Sequence, residues 1–243
     1  IINSDICTTK VLMQQDNNCM TALIIACRYQ PEVAKTIINS DICTTKVLMQ
    51  QDNEGNNALI MACRFQPEAA IAIINSDICT TKVLMQQNNN GWNALIIACM
   101  FQPESVIVIL ESSICTIDVL MQQNIYGNNA LIIASQFKSE VANAIINSDI
   151  CTKELLTQKN IQGYNVLMMA CMCMHHPETV EVILESGKCT TDILMQKNAY
   201  GRNILIIACV CQPDVVNAII NNNICTTNIL IQKDNDDNNA LIF

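Results

Sequence analysis

Apolar residues in this chain fall in short blocks that return at a fixed interval. Ala22-Leu23-Ile24-Ile25-Ala26-Cys27 comes back as Ala58-Leu59-Ile60-Met61-Ala62-Cys63, and again in each later copy. Polar stretches rich in Asn, Gln and Thr separate the blocks. Glycines set the period. Gly55, Gly91, Gly127 and Gly163 are each 36 residues apart, and Gly201 follows 38 residues later because a two-residue insertion lies within Met172 to His176. Cys19 and Asp237 stand where the first and last glycines belong. Residues 1–16 recur without change at 37–52, and at 73–88 with one Asp→Asn difference. Self-similarity of this period is the signature of a repeat architecture.

Each unit reads as three short helices. The first runs from about Ala58 to Arg64, with Asn57 placed to cap its unbonded N–H groups. Asn93, Asn129, Asn165, Asn203 and Asn239 repeat that role, and Thr21 takes it in the first copy. The second starts at Pro67-Glu68, because Pro is preorganised for the first helical position and Glu suits the positive end of the helix dipole. Pro31, Pro103, Pro177 and Pro213 match, while Ser139 replaces Pro once. The third spans about Thr80 to Gln86, with Thr as the expected cap. No unit can hide its own apolar face. Leu59, Ile60, Ala62 and Cys63, and Ile71, Ile74, Val83 and Leu84 on the other helices, need partners from the next unit. Nothing alternates with period two over a useful length, so strand content should be near zero. The expected fold is an all-α solenoid of about seven stacked helical repeats, the first and last incomplete. It forms one array over residues 1–243, with units starting near 19, 55, 91, 127, 163, 201 and 237 and a partial unit at 1–18. Both ends fall inside a repeat, so the array is expected to continue beyond them.

The block Gly-x-Asn-Ala-Leu-Ile-Ile-Ala-Cys resembles the Gly-x-Thr-Pro-Leu-His-x-Ala-Ala of the ankyrin repeat. The match is clearest at Met20-Thr21-Ala22-Leu23-Ile24-Ile25-Ala26-Cys27. Pro103 to Leu110 is similar to that family's second helix. The departures are specific. Ankyrin units have about 33 residues. The family's His on the first helix is Ile or Met here, and its Gly-Ala-Asp hairpin segment is replaced by Cys-Thr-Thr-Lys-Val-Leu-Met-Gln-Gln. The resemblance implies an ankyrin-like stack with a short third helix where β-hairpins normally project. Pumilio RNA-binding repeats share the 36-residue, three-helix unit, but their recurring trio of base-reading side chains has no counterpart here.

Composition narrows the function. Net charge is −9, from 13 basic and 22 acidic residues, which argues against binding a phosphate backbone. Only 4% of residues are aromatic, leaving few stacking platforms for bases. No apolar run approaches the roughly 20 residues of a membrane span, and no signal-peptide pattern opens the chain. Of the 15 cysteines, Cys7, Cys43, Cys79, Cys115, Cys151, Cys189 and Cys225 share one repeat position. Cys27, Cys63, Cys99, Cys171 and Cys209 share another, where Ser135 stands once. Equivalent positions in stacked helices lie about 10 Å apart, too far for a disulfide. They read as buried small hydrophobes of an intracellular, cytoplasmic, reducing compartment.

Candidate chemistry is sparse. Cys171, Cys173, His175 and His176 are zinc-ligand types in a non-standard spacing, best read as an ordinary loop, so no metal site is expected. Those are the only histidines, no Gly-rich phosphate loop exists, and Glu32, Glu68, Glu104, Glu140 and Glu178 sit where helix starts want acids. Neither enzyme activity nor a cofactor is expected. Variable positions point instead to a protein partner. Trp92, Tyr126, Tyr164, Tyr200 and Arg202 flank the glycine, and Arg28 and Arg64 follow the Ala-Cys pair. Trp, Tyr and Arg dominate binding hot spots. The expected function is a non-catalytic protein-interaction scaffold. The alternative is a structural repeat stacking end to end on its own copies into filaments.

Overall fold

The computed structural model describes residues 7–173 and 177–242. Its helices follow the sequence period. First helices are Ala22–Tyr29, Ala58–Phe65, Ala94–Phe101, Ala130–Phe137, Val166–Met172 and Ile204–Cys211. Second helices are Pro31–Ile38, Pro67–Ile74, Pro103–Glu111, Ser139–Asn147 and Pro177–Glu185; in the last copy a 3-10 turn, Pro213–Val215, leads into Val216–Asn221. Third helices are single turns: Thr9–Leu12, Thr45–Leu48, Thr81–Met85, Ile117–Met121, Lys153–Thr157, Thr191–Met195 and Thr227–Ile231. Among the described residues the sole β pairing is an isolated antiparallel bridge between Gln15 and Thr21, so no β-hairpin projects from the repeats.

The chain divides into two compact units, Ile1–Ile125 and Tyr126–Phe243. Each is an all-α stack of helical repeats. In the N-terminal unit, Ala22–Tyr29 packs on Ala58–Phe65 and that helix on Ala94–Phe101, while Pro31–Ile38, Pro67–Ile74 and Pro103–Glu111 stack beside them. The C-terminal unit repeats the scheme, with Val166–Met172 between Ala130–Phe137 and Ile204–Cys211. Leu59, Ile60, Ala62, Cys63, Val83 and Leu84 are all buried, as the apolar pattern requires. Ile71 differs: it is half-buried, and Ala69, Ala70, Ile73 and Ile74 form the inward stripe of Pro67–Ile74. That stripe follows the one-and-four spacing of a helix face, and Ile71 falls off it. Each fully buried Leu or Ile contributes about 1.5–3 kcal/mol. The one-turn third helices exist only through this packing, since isolated helices under about 12 residues are marginal in water.

Polar groups fix the register between repeats. Asn57 Oδ1 accepts the Ile60 N–H at 2.8 Å, and Asn93, Asn129, Asn165 and Asn203 cap their helices likewise. Asn239 accepts the Leu241 N–H, with no helix following among the described residues. The buried asparagine has a second task. Asn93 Nδ2 donates to Gln122 Oε1 at 2.8 Å, and Gln122 Nε2 donates onward to the Met85 carbonyl of the preceding repeat at 2.7 Å. Asn57–Gln86–Met49 and Asn203–Gln232–Met195 repeat the chain of bonds. Thr21 caps Ile24 but has no amide to offer, and Gln50 turns back to the Lys46 carbonyl of its own helix.

The expected threonine caps of the third helices are mostly absent. Of the residues at that position, Thr152 alone accepts a helical N–H through its side chain, from Leu155. Thr44, Thr80 and Thr116 bury hydroxyls without a partner. The backbone explains it: the Thr80 carbonyl accepts from both Val83 and Leu84, at 2.9 and 3.2 Å, and one carbonyl closes the whole turn. The next residue makes the inter-repeat bond, with Thr81 Oγ1 donating to the Ile114 carbonyl at 2.9 Å.

Candidate protein-binding surface

The loops that carry the glycines are built on Asx turns. Asn88 Oδ1 accepts the N–H groups of Asn90 and Trp92, both at 3.0 Å; Asp52, Asn160 and Asn198 organise their loops the same way. The chain then reverses through a left-handed residue, with φ +74° at Gly91. A Cβ there would come within 2.9 Å of Asn124 Cα in the next loop. Cys19 and Asp237, the two stand-ins for glycine, adopt the same backbone at φ 58° and 65°.

This geometry sorts the sequence-predicted residues. The position before the glycine points outward: Tyr126 is 51% and Tyr200 58% exposed. The position after it turns toward the neighbouring loop. Trp92 is half-buried and Tyr164 is buried, at 8% exposure. Arg202 is half-buried and pairs with Asp234, Nε to Oδ2 at 3.4 Å. Burial pushes the Asp234 carboxyl up, but the N–H groups of Asn238 and Asp236 and the Arg202 guanidinium outweigh it and hold it below its usual range. Tyr126, Tyr164, Tyr200 and Arg202 lie in the C-terminal unit; Arg28, Arg64 and Trp92 lie in the N-terminal one.

Around Arg28 and Arg64 the N-terminal unit carries an array that the choice of site residues missed. Tyr29, Phe65 and Phe101 end the first helices and remain exposed, and the two guanidiniums stack among them. The recurrence of Arg-aromatic pairs one period apart was the available signal. Arg28 also borders two shallow open recesses. One, of about 250 Å³, includes Asn18, Met20, Asp52 and Glu54; the other, of about 170 Å³, includes Asn56, Ile60, Arg64 and Phe65.

Little of the surface suits covalent chemistry. All fifteen cysteines are free thiols. Burial pushes Cys43, Cys115 and Cys189 up to about 11 and Cys79 up to about 12. Cys27, Cys63, Cys99 and Cys171 are also pushed up, chiefly by burial. Thiols that stay protonated are poor nucleophiles and poor metal ligands. No group of three or more His, Cys, Asp or Glu residues is arranged to hold a metal among the described residues; His175 and His176 lie outside them. No described helix is long and apolar enough to cross a membrane.

Three-helix units sealed against their neighbours define a helical-repeat scaffold. A family model for ankyrin repeats (three copies) matches residues 144–230. No curated protein matches the chain in sequence. Among solved structures, one titled an ankyrin-repeat protein superposes with a TM-score of 0.66 at 20% identity, covering 82% of this chain and 96% of its own. The ankyrin-repeat domain of Bcl-3, a member of the IkappaB family, gives 0.63 at 20% identity, covering 85% and 84%. A chain from the complex of a predatory endopeptidase of Bdellovibrio bacteriovorus with an immunity protein gives 0.61 at 18%, covering 84% and 97%. The fold is ankyrin-repeat-like, and it diverges by placing a one-turn helix where ankyrin repeats carry the β-hairpin.

Proposed function

We propose that this chain is a non-catalytic scaffold that recognises other proteins through the loop edge and first-helix ends of its repeats. The observation that carries the reading is that each unit presents exposed aromatic side chains on a packed, repeated frame: Tyr29, Phe65 and Phe101 in one, Tyr126, Phe137 and Tyr200 in the other. Aromatic and Arg side chains concentrate binding energy, and a packed frame limits the ordering cost of presenting them. In the N-terminal unit the contact residues are Arg28, Arg64 and Trp92. In the C-terminal unit they are Tyr126 and Tyr200, supported by Tyr164 and by the Arg202–Asp234 pair. The complex that supplies one of the similar structures joins an endopeptidase to an immunity protein, which is in keeping with protein recognition on this fold. Fifteen unpaired cysteines support work in a reducing, intracellular compartment.

The test is selection of binders from a displayed protein-fragment library, followed by calorimetry on wild type, Trp92→Ala and Tyr126→Ala/Tyr200→Ala. Stoichiometric binders that lose roughly tenfold or more in affinity on these substitutions support the reading. No binder, or binders indifferent to every surface substitution, would overturn it. Sedimentation of the chain alone over a wide concentration range tests self-stacking: growth in mass with concentration would identify further copies of the chain as the partner.

A further inference from the structure

The strongest unexplained feature is the order of side chains along the first-helix ends of the N-terminal unit. Tyr29, Arg28, Phe65, Arg64 and Phe101 alternate ring and cation. The Arg28 guanidinium carbon lies 5.1 Å from the Tyr29 ring centre and 5.3 Å from that of Phe65. Arg64 lies 5.2 Å from Phe65 and 5.6 Å from Phe101. The rings are 60%, 39% and 46% exposed in chain order, so this is a surface array. Stacking uses the flat faces of a guanidinium, while its N–H donors radiate in the plane. Arg64 is exposed and Arg28 half-buried, and neither guanidinium makes an ion pair among the described residues.

Several features select the ligand. A planar fork binds a carboxylate through two parallel bonds. The rings already restrict both arginines, which lowers the ordering cost of binding. Asp52 and Glu54 border the recess beside Arg28, and Glu54 also borders the one Arg28 shares with Arg64, so a singly charged carboxylate meets less repulsion there than a phosphate dianion. The two arginines sit one repeat apart, and adjacent packed helices are roughly 10 Å apart. A polyproline II segment rises about 3.1 Å per residue with three residues per turn, so side chains at i and i+3 share a face about 9 Å apart.

We infer that this ladder docks an extended acidic segment of a partner protein, with carboxylates at i and i+3 on Arg28 and Arg64. The inference rests on the protein-binding reading above and adds the partner's chemistry to it.

The experiment titrates the full chain with fluorescein-labelled peptides in an Ala/Pro host and reads anisotropy. The probe carries Glu-Leu-Pro-Glu. Controls replace both Glu by Gln, place the two Glu adjacent, or replace them by phosphoserine, and a labelled oligouridine is run alongside. Expected is saturable, salt-sensitive binding of the probe, at least roughly tenfold weaker for the Gln peptide. Arg28→Lys and Arg64→Lys, which keep the charge but lose the stacked fork, should each weaken it roughly fivefold or more. Circular dichroism of each variant confirms an unchanged fold. Equal binding of the Gln peptide, indifference to the lysine variants, or preference for phosphoserine or RNA overturns the inference. If library selection yields partners that ignore these two arginines, the scaffold reading stands and this inference alone falls.

Discussion

Replacing Asn93 separates two roles that one buried side chain combines. Asn93 is fully buried. Its Oδ1 accepts the Ile96 N–H at 2.8 Å, and its Nδ2 donates to Gln122 Oε1 at 2.8 Å. Losing an N-cap costs about 1 kcal/mol. Leaving the half-buried Gln122 acceptor without a donor adds about 1 kcal/mol, the low end of the range for a buried group. Asn93→Ala should therefore destabilise by about 2 kcal/mol. Asn93→Thr should fall short of that by about the cap contribution, 1 kcal/mol, because Thr21 shows the hydroxyl capping in the first repeat without an amide to donate. Gln122→Ala in the Thr background should then cost less than Gln122→Ala alone, since the bond between the two side chains is already gone. Urea unfolding followed by far-ultraviolet circular dichroism measures all four. Asn93→Thr as stable as wild type, or as unstable as Asn93→Ala, would refute the division of labour, and strict additivity with Gln122→Ala would refute the coupling.

Other outcomes follow from the same geometry. Gly91→Ala forces a Cβ to within 2.9 Å of backbone while φ stays at +74°, whereas Gly187, at φ +69°, has nothing within 4 Å. Gly187→Ala should cost about 1–2 kcal/mol for the backbone alone, and Gly91→Ala distinctly more, in the same urea assay. Raised thiol pKa values make stability fall at high pH. Below the ordinary value of 9.0 the Cys43 and Cys79 thiols are neutral folded and unfolded; above it the unfolded chain ionises first, until pH passes about 11 and about 12. Wild type should lose up to about 1.4 kcal/mol per pH unit per such thiol above pH 9, a slope that Cys43→Ala/Cys79→Ala should reduce. Iodoacetamide at pH 8, read by mass spectrometry, should leave Cys63 and Cys99 unmodified until denaturant is added, because both are fully buried.

The repeat frame was legible because its signals are local and recur: Pro at a helix start, Asn at a cap, Gly at a left-handed turn. The substitutes Cys19 and Asp237 could be assigned to the left-handed position from register alone, and both adopt it. The threonine caps were misread because sequence shows a suitable hydroxyl but not that a neighbouring carbonyl already closes the turn. The bond from Asn93 to Gln122 was hidden for a different reason: its partners are 29 residues apart, and nothing local to either one marks the other. Among the proposed contact residues, sequence could not tell Tyr126 from Tyr164. One precedes its glycine and is exposed; the other follows and is buried, a distinction made by the direction of the Asx turn.

Many bonds that join neighbouring repeats recur at equivalent positions, such as those from Thr9, Thr45, Thr81 and Thr191 to the carbonyl 33 residues on. A gene rearrangement that removes or inserts one full period therefore rejoins like with like, and every buried amide finds its usual recipient. The 38-residue repeat keeps the same Asn-to-Gln bond across its two-residue insertion, from Asn165 to Gln196 at 2.7 Å. The identity of residues 1–16 with 37–52 is what such a history of whole-period exchange leaves behind, and it marks how the array can lengthen or shorten without relearning how to fold.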